Sequence, residues 1–172
     1  AVALLFTIPH RVWTVTNAER SAVPVADGDS IHLMAVVWDP ETRTVLPGTG
    51  LSVELNKDGS LVSKEVIYPM LSQRMGFHYG GNFSLPADGT YAVDVSVGAL
   101  PTNGVRTTGA FRDRFAEPAT GTIDLAYTPE TRAKVRSRDV EQGGDPGALA
   151  PMEMDVPVGR APERSALPGE VV

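Results

Sequence analysis

Apolar residues recur at every second position along most of the chain up to residue 128, a period typical of strands rather than helices. The alternation is clearest after residue 90, where Tyr91, Val93 and Val95 alternate with smaller or polar residues. Residues 17–28 lack the pattern, and we predict a polar connection there. Seven segments alternate or are apolar on both faces, and they span residues 2–16, 30–39, 51–56, 61–68, 81–85, 91–98 and 121–128. We therefore predict an all-β fold, an immunoglobulin-like β-sandwich.

Turn and capping residues mark the ends of several segments. Asn56–Ser60 and Pro86–Thr90 both contain Asp-Gly, a dipeptide typical of hairpin turns. Pro9 cannot donate a hydrogen bond to a neighbouring strand, so it indicates an edge strand or a bulge within the first segment. Thr128 followed by Pro129 predicts the cap and the first residue of a short helix.

The composition changes at about residue 136, after which glycine and proline interrupt any periodicity. Such sequence buries little apolar surface. We predict an immunoglobulin-like domain over residues 1–135 and an extended linker or tail over residues 136–172. The chain opens directly into apolar sequence without a charged leader region, which we interpret as the start of a mature or excised fragment. Further domains beyond residue 172, and a membrane-anchoring segment outside these residues, stay open.

Charge and cysteine content exclude several classes of function. The formal net charge of −6 offers no basic surface to displace counterions from nucleic acid, so we predict no nucleic-acid partner. The chain has no cysteine, which excludes disulfides, thiolate zinc sites and cysteine nucleophiles. No arrangement of nucleophile, histidine and acid stands out, and neither does a carboxylate pair, so we predict that the protein is not an enzyme.

Two stretches combine imidazole and thioether side chains. Met70, Met75 and His78 lie in a predicted turn-rich loop, and His32 and Met34 are two residues apart on the second predicted strand. Side chains two apart on a strand share a face, about 7 Å from each other. Thioether sulfur and imidazole together suit copper, above all Cu(I). Methionine also fills gaps in cores, so composition alone favours ordinary packing.

His10 falls on the apolar face of the first predicted strand, beside Trp13. A histidine there is usually buried or half-buried and hydrogen-bonded to the backbone, and we favour that interpretation over a metal ligand.

Three motifs, in this order and spacing, resemble one known family. They are Ser30-Ile-His-Leu-Met34, then Pro69-Met70 followed by His78-Tyr-Gly-Gly-Asn82, then Gly89-Thr-Tyr-Ala-Val93. They resemble the Tpd-like, periplasmic iron-transport metal-binding proteins, which accompany iron permeases and include bacterial lipoproteins. The resemblance covers about residues 1–128. It implies an immunoglobulin-like sandwich, usually a homodimer, that binds copper or another divalent metal outside the cytoplasm in iron uptake.

The resemblance also implies a set of ligands, from which this chain departs in three ways. His32, Met70 and His78 match the family's ligands. Met34 stands where the family has glutamate, one extra residue separates Met70 from His78, and Phe111–Phe115 occupies the region of the family's last histidine.

We therefore expect a non-enzymatic, extracytoplasmic protein that binds a copper or iron ion and acts in iron uptake. His32, Met70 and His78 would bind the ion, with further ligands drawn from the remaining candidates, Met34, Met75 and His10. Asp113 or a loop carbonyl would accept a hydrogen bond from each imidazole. An iron permease and a second copy of the chain are the expected partners. The alternative is a structural or interaction sandwich from a multidomain surface protein, with a degenerate metal site.

Overall fold

The computed structural model describes residues 1–72, 76–100, 109–135 and 170–171. Within these ranges the chain forms ten strands and one short helix. The strands are β1 (Val2–Thr7), β2 (Val12–Thr16), β3 (Glu19–Val23), β4 (Ile31–Val37), β5 (Leu51–Lys57), β6 (Ser60–Ser72), β7 (Gly76–Phe83), β8 (Gly89–Val97), β9 (Ala119–Tyr127) and β10 (Glu170–Val171). The helix α1 spans Pro129–Lys134, and Gly109–Phe111 forms a single 3₁₀ turn. The predicted all-β sandwich is confirmed.

One long strand, β6, joins the two layers of the sandwich. Eight strands are hydrogen-bonded in the order β10-β1-β4-β7-β6-β5-β8-β9, and all their pairings are antiparallel. The first part of β6, up to Ile67, pairs with β5, and the rest, from Tyr68 to Ser72, pairs with β7. The sheet therefore folds over at β6. β10, β1, β4, β7 and the end of β6 form one layer, and the start of β6 with β5, β8 and β9 forms the other.

The main core lies between these layers. Ile31 and Leu33 of β4 belong to it, together with Val53 of β5 and Val93 of β8, and each is almost fully buried. Burial of an aliphatic side chain of this size contributes about 1.5–3 kcal/mol. The other face of β4 is also buried, in a smaller apolar cluster that contains Met34. β4 is thus covered on both faces, as its sequence predicts.

The first, fourth and fifth predicted strands differ from the structure in their ends. Residues 2–16 do not form one strand, because the chain leaves the sheet around Pro9 and β2 begins at Val12. β2 pairs with β3 as a separate hairpin, in a segment predicted as a polar connection. Residues 68–72 and 76–80, predicted as a turn-rich loop, instead form the paired ends of β6 and β7. Met75 lies outside the described residues.

The short helix is as predicted. The Thr128 side chain accepts a hydrogen bond from the backbone N–H of Thr131, and Pro129 is the first helical residue. The described residues contain no helix that is long and apolar enough to cross a membrane.

The boundary between the domain and the tail stays a prediction, because residues 136–169 lie outside the described ranges. The backbone of β10 pairs with the start of β1, where Val171 lies opposite Val2. Residues 170–171 therefore add a short strand that the predicted tail did not include.

Candidate metal centre

Strand pairing brings the candidate ligands of three strands to one face of the sheet, opposite the main core. His32 of β4 lies directly across from Asn82 of β7, and Met70 of β6 lies directly across from His78 of β7. Directly paired residues of antiparallel strands project to the same side, and alternation adds Gly80, midway between His78 and Asn82. The sequence could not show this convergence, because it depends on the register of β4 against β7.

Gly80 leaves space between two donor atoms. A Cβ atom at this position would lie 2.8 Å from Nε2 of His32 and 3.0 Å from Sδ of Met70. An imidazole nitrogen and a thioether sulfur thus face one point. His32 is fully buried, and its Nε2 has no hydrogen-bond partner among the described residues. A buried polar atom without a partner is rare and often marks a site for an ion or water.

A side-chain amide sets the orientation of His32. Nδ1 of His32 lies 2.8 Å from Oδ1 of Asn82, and Nδ2 of Asn82 donates to the backbone oxygen of His10 over 3.0 Å. Because the amide nitrogen donates to His10, the amide oxygen faces His32, so Nδ1 of His32 carries the proton. Nε2 of His32 then has a free lone pair, the state that a metal requires.

The other two histidines are oriented by backbone carbonyls. Nδ1 of His78 lies 3.1 Å from the oxygen of Gly76, and Nδ1 of His10 lies 3.3 Å from that of Ile8. Because a carbonyl oxygen can only accept, Nδ1 carries the proton in both rings. Nε2 of each ring therefore keeps a free lone pair. The predicted carbonyl acceptors are therefore present.

Of the two predicted acceptors, a loop carbonyl and Asp113, the structure has the carbonyl, and Asp113 does not bind any of the three rings among the described residues. Its carboxylate forms an exposed ion pair with Arg112, 2.8 Å away. In the same stretch Arg114 pairs with the buried Asp39 at 2.6 Å, and Phe115 packs against the main core. The region where the resembled family has its last histidine thus anchors a loop to the end of β4.

All three imidazoles are neutral at pH 7. Burial, with a smaller contribution from repulsion by His10, lowers the pKa of His32 to about 3. Burial also lowers the pKa of His10 and His78, with repulsion from His10 as a second cause at His78. The ring centroids of His10 and His32 are 4.1 Å apart. Protonating either ring would place a positive charge close to the other, so both rings stay neutral and keep a free lone pair at neutral pH.

The remaining candidates differ in position. His10 is half-buried with a backbone partner, as predicted, and it lies against His32. Met34 is fully buried in the small apolar cluster with Val36 and Trp38. Across the described ranges, no three side chains among His, Cys, Asp and Glu are grouped closely enough to hold an ion. A metal site on this face would therefore need the thioether of Met70 as well as imidazole.

Sequence reasoning missed the roles of Gly80 and Asn82. Both belong to the motif that carried the family resemblance, and both share the parity of His78 on β7. That parity was the available signal, but the predicted strand began only at residue 81, so Gly80 and His78 fell in the predicted loop and were not aligned with Asn82.

The comparisons with known proteins agree with the fold. Two solved structures of FetP from uropathogenic Escherichia coli strain F11 are similar to this chain. The protein as isolated after expression in the periplasm has a TM-score of 0.56 at 21% identity, covering 74% of this chain and 87% of FetP. A copper-bound glutamate-to-glutamine variant has a TM-score of 0.54 at 19% identity, with 74% and 88% covered. At such identity the likeness shows the fold alone.

No curated protein matches the chain in sequence. A family model matches residues 10–106, more than half of the chain. The chain therefore belongs to the family described as Domain of unknown function (DUF7350).

Proposed function

We propose that this chain is a non-enzymatic, extracytoplasmic protein that binds copper and acts in iron uptake, with His32, Met70 and His78 as ligands. One observation carries the proposal: the buried Nε2 of His32 has no hydrogen-bond partner in the described part of the chain, and it faces the Met70 sulfur across Gly80. Leaving such an atom unsatisfied costs about 1–3 kcal/mol. A bound ion would offset that cost.

The donors favour copper over iron as the bound ion. An imidazole nitrogen and a thioether sulfur suit Cu(I), whereas hard cations prefer carboxylate and carbonyl oxygens. The copper-bound FetP variant, which shares the fold, supports the same choice. The ion is cargo in this proposal, and the chain's residues bind it, orient its ligands and shield it from water.

The cellular setting is proposed from the resemblance and the structural neighbours. The motifs of β4 and β7 resemble proteins that serve iron permeases outside the cytoplasm, and FetP was expressed in the periplasm. An iron permease is the proposed partner, and a homodimer is the proposed assembly.

The second candidate function is an interaction sandwich with a degenerate metal site. Exposed apolar side chains on β6 favour it: Val66 is 57% exposed, Tyr68 67% and Leu71 83%. Contiguous exposed apolar patches often mark a protein interface, and these three side chains lie within six residues of one strand. This candidate predicts that the protein has no measurable affinity for copper.

Competition for Cu(I) against a chromophoric chelator, under reducing conditions, tests the proposal. We expect one Cu(I) per chain, with affinity lowered at least about tenfold in both His32→Ala and His78→Ala. Asp113→Ala, an exposed change on another loop, is the control and should bind as wild type does. Affinity that both histidine substitutions leave unaltered would contradict the proposal, and absence of binding by the wild type would favour the second candidate.

A further inference from the structure

The residues that form the candidate metal centre carry no negative charge. The two donor atoms that face the space at Gly80 are Nε2 of His32 and Sδ of Met70. Behind them, Nδ1 of His32 is hydrogen-bonded to the amide oxygen of Asn82, and Nδ1 of His78 to a backbone oxygen. Along β4, β7 and the end of β6, no residue on this face is acidic. A cation bound here would therefore meet only neutral donors from these three strands.

The centre is also largely closed to water. His32 and Met34 are fully buried, and His78 is nearly so. Met34 lies directly across from Gly80, so its apolar side chain borders the space that the two donor atoms face. The ring of His10 packs against that of His32, with 4.1 Å between the centroids. Moving an ion from water into such surroundings has a free-energy cost that rises with the square of its charge.

We propose that the centre selects its ion by charge, holding the monovalent soft cations Cu(I) and Ag(I) and discriminating against divalent cations, Cu(II) included. The inference rests on the proposed function, because it takes His32, Met70 and His78 as the ligands. It goes further in assigning the oxidation state, since the chain would hold copper only while the metal is reduced.

The number and type of donors lead to the same selection. Zn(II) sites have at least about three protein ligands, and their histidines commonly donate to carboxylates behind them. Among the described residues, no three His, Cys, Asp or Glu side chains are grouped closely enough to hold an ion. Two imidazoles and one thioether form a softer set, which suits Cu(I) rather than a divalent ion.

Competition titrations of the full chain with Cu(I), Ag(I), Cu(II) and Zn(II) test the selection. We expect Cu(I) and Ag(I) to bind at least about a hundredfold more tightly than either divalent ion. Ag(I) has the charge and the softness of Cu(I), and Zn(II) has no redox chemistry, so this pair isolates the effect of charge and softness. A hundredfold preference for Cu(I) over Cu(II) raises the potential of the copper couple by about 120 mV above that of the unbound ion, which voltammetry measures.

Asn82→Asp tests whether the neutral surroundings set this preference. A carboxylate behind His32 would favour a higher charge on the metal, so the ratio of Ag(I) affinity to Zn(II) affinity should fall at least about tenfold. The hydrogen bond from Asn82 to the His10 backbone is lost for both ions alike, so the ratio reports the charge. Ser96→Asp adds the same charge at an exposed position of β8, in the other layer, and is the matched control with the wild-type ratio.

The outcomes separate this inference from the proposed function. Divalent binding that persists in His32→Ala belongs to other groups and is subtracted. If the remaining affinity for Cu(II) or Zn(II) is within a factor of about a hundred of that for Cu(I), the inference is overturned while the proposed function stands. A wild-type ratio in a folded Asn82→Asp also overturns it, and the comparison of ions in the wild type stands without that variant. If the wild type binds no Cu(I), both fail.

Discussion

At the scale of single residues, Gly80 is the position on which the candidate centre depends most directly. Its φ is not in the left-handed region, so the backbone alone does not demand glycine there. The demand comes from space, because any side chain would occupy the point that His32 Nε2 and Met70 Sδ both face. The neighbouring Gly81 has different surroundings, since its Cβ would lie 3.4 Å from Phe83 and 3.5 Å from Ile67.

We expect Gly80→Ala to lower Cu(I) affinity at least about tenfold, because the methyl group would displace both donor atoms. The flexible end of Met70 can move aside, so the free energy of unfolding should fall by only about 1–3 kcal/mol. Gly81→Ala makes the same chemical change on the core face and is the matched control. Competition titration and urea unfolding measure the two effects. Equal copper affinity in the two variants would show that the space at Gly80 is not the metal position.

At the scale of elements, burial decided which strands the sequence could predict. β5, β8 and β9 agree with prediction to within two residues at each end, because alternation along them directly reports one buried face. β3 was not predicted, since its five residues are all exposed and impose no pattern. The sequence indicates burial well and pairing poorly.

The hairpin of β6 and β7 shows the same limit at the candidate site. Pro69, Gly76 and Gly80 indicated a loop, yet Pro69 pairs with Tyr79 and Gly80 pairs with both Tyr68 and Met34. Tertiary pairing overrides these local preferences. The types of donor could thus be predicted from the sequence and the family resemblance. Their arrangement across three strands, with Asn82 behind them, could not, because register between distant strands is not encoded locally.

The pairing of β10 with β1 leads to a prediction for the tail. The two strands share only two residue pairs, so truncation after Val135 should lower the free energy of unfolding by no more than about 2 kcal/mol. Leu33→Ala, a fully buried core substitution, provides the scale, with an expected loss of about 2–5 kcal/mol. Urea unfolding measures both. A loss on truncation as large as that of Leu33→Ala would show that residues 136–172 cover a substantial apolar surface.

At the scale of the whole molecule, the buried histidines connect stability to pH. An unfolded histidine has a pKa of about 6.5, whereas that of His32 in the fold is lowered to about 3. Below pH 6.5 the unfolded chain therefore binds a proton at this residue that the folded chain does not. The contribution of neutral His32 to the free energy of unfolding is therefore fully present above pH 6.5. It is lost as the pH falls toward the pKa of His32 in the folded chain. The lowered pKa values of His10 and His78 act in the same direction.

We expect the metal-free protein to lose about 2 kcal/mol of unfolding free energy between pH 6.5 and pH 5 through His32 alone, with a further loss through the other two histidines. Urea unfolding of chelator-treated protein at several pH values measures the slope. His32→Gln, which has no titrating group, should show a shallower slope over the same interval, whatever its stability at pH 7. The interval lies above the usual pKa range of Asp and Glu, so carboxylates contribute little to it. Equal slopes in the two proteins would mean that His32 takes up a proton in the folded state, and its Nε2 would then not be the free donor that the metal centre requires.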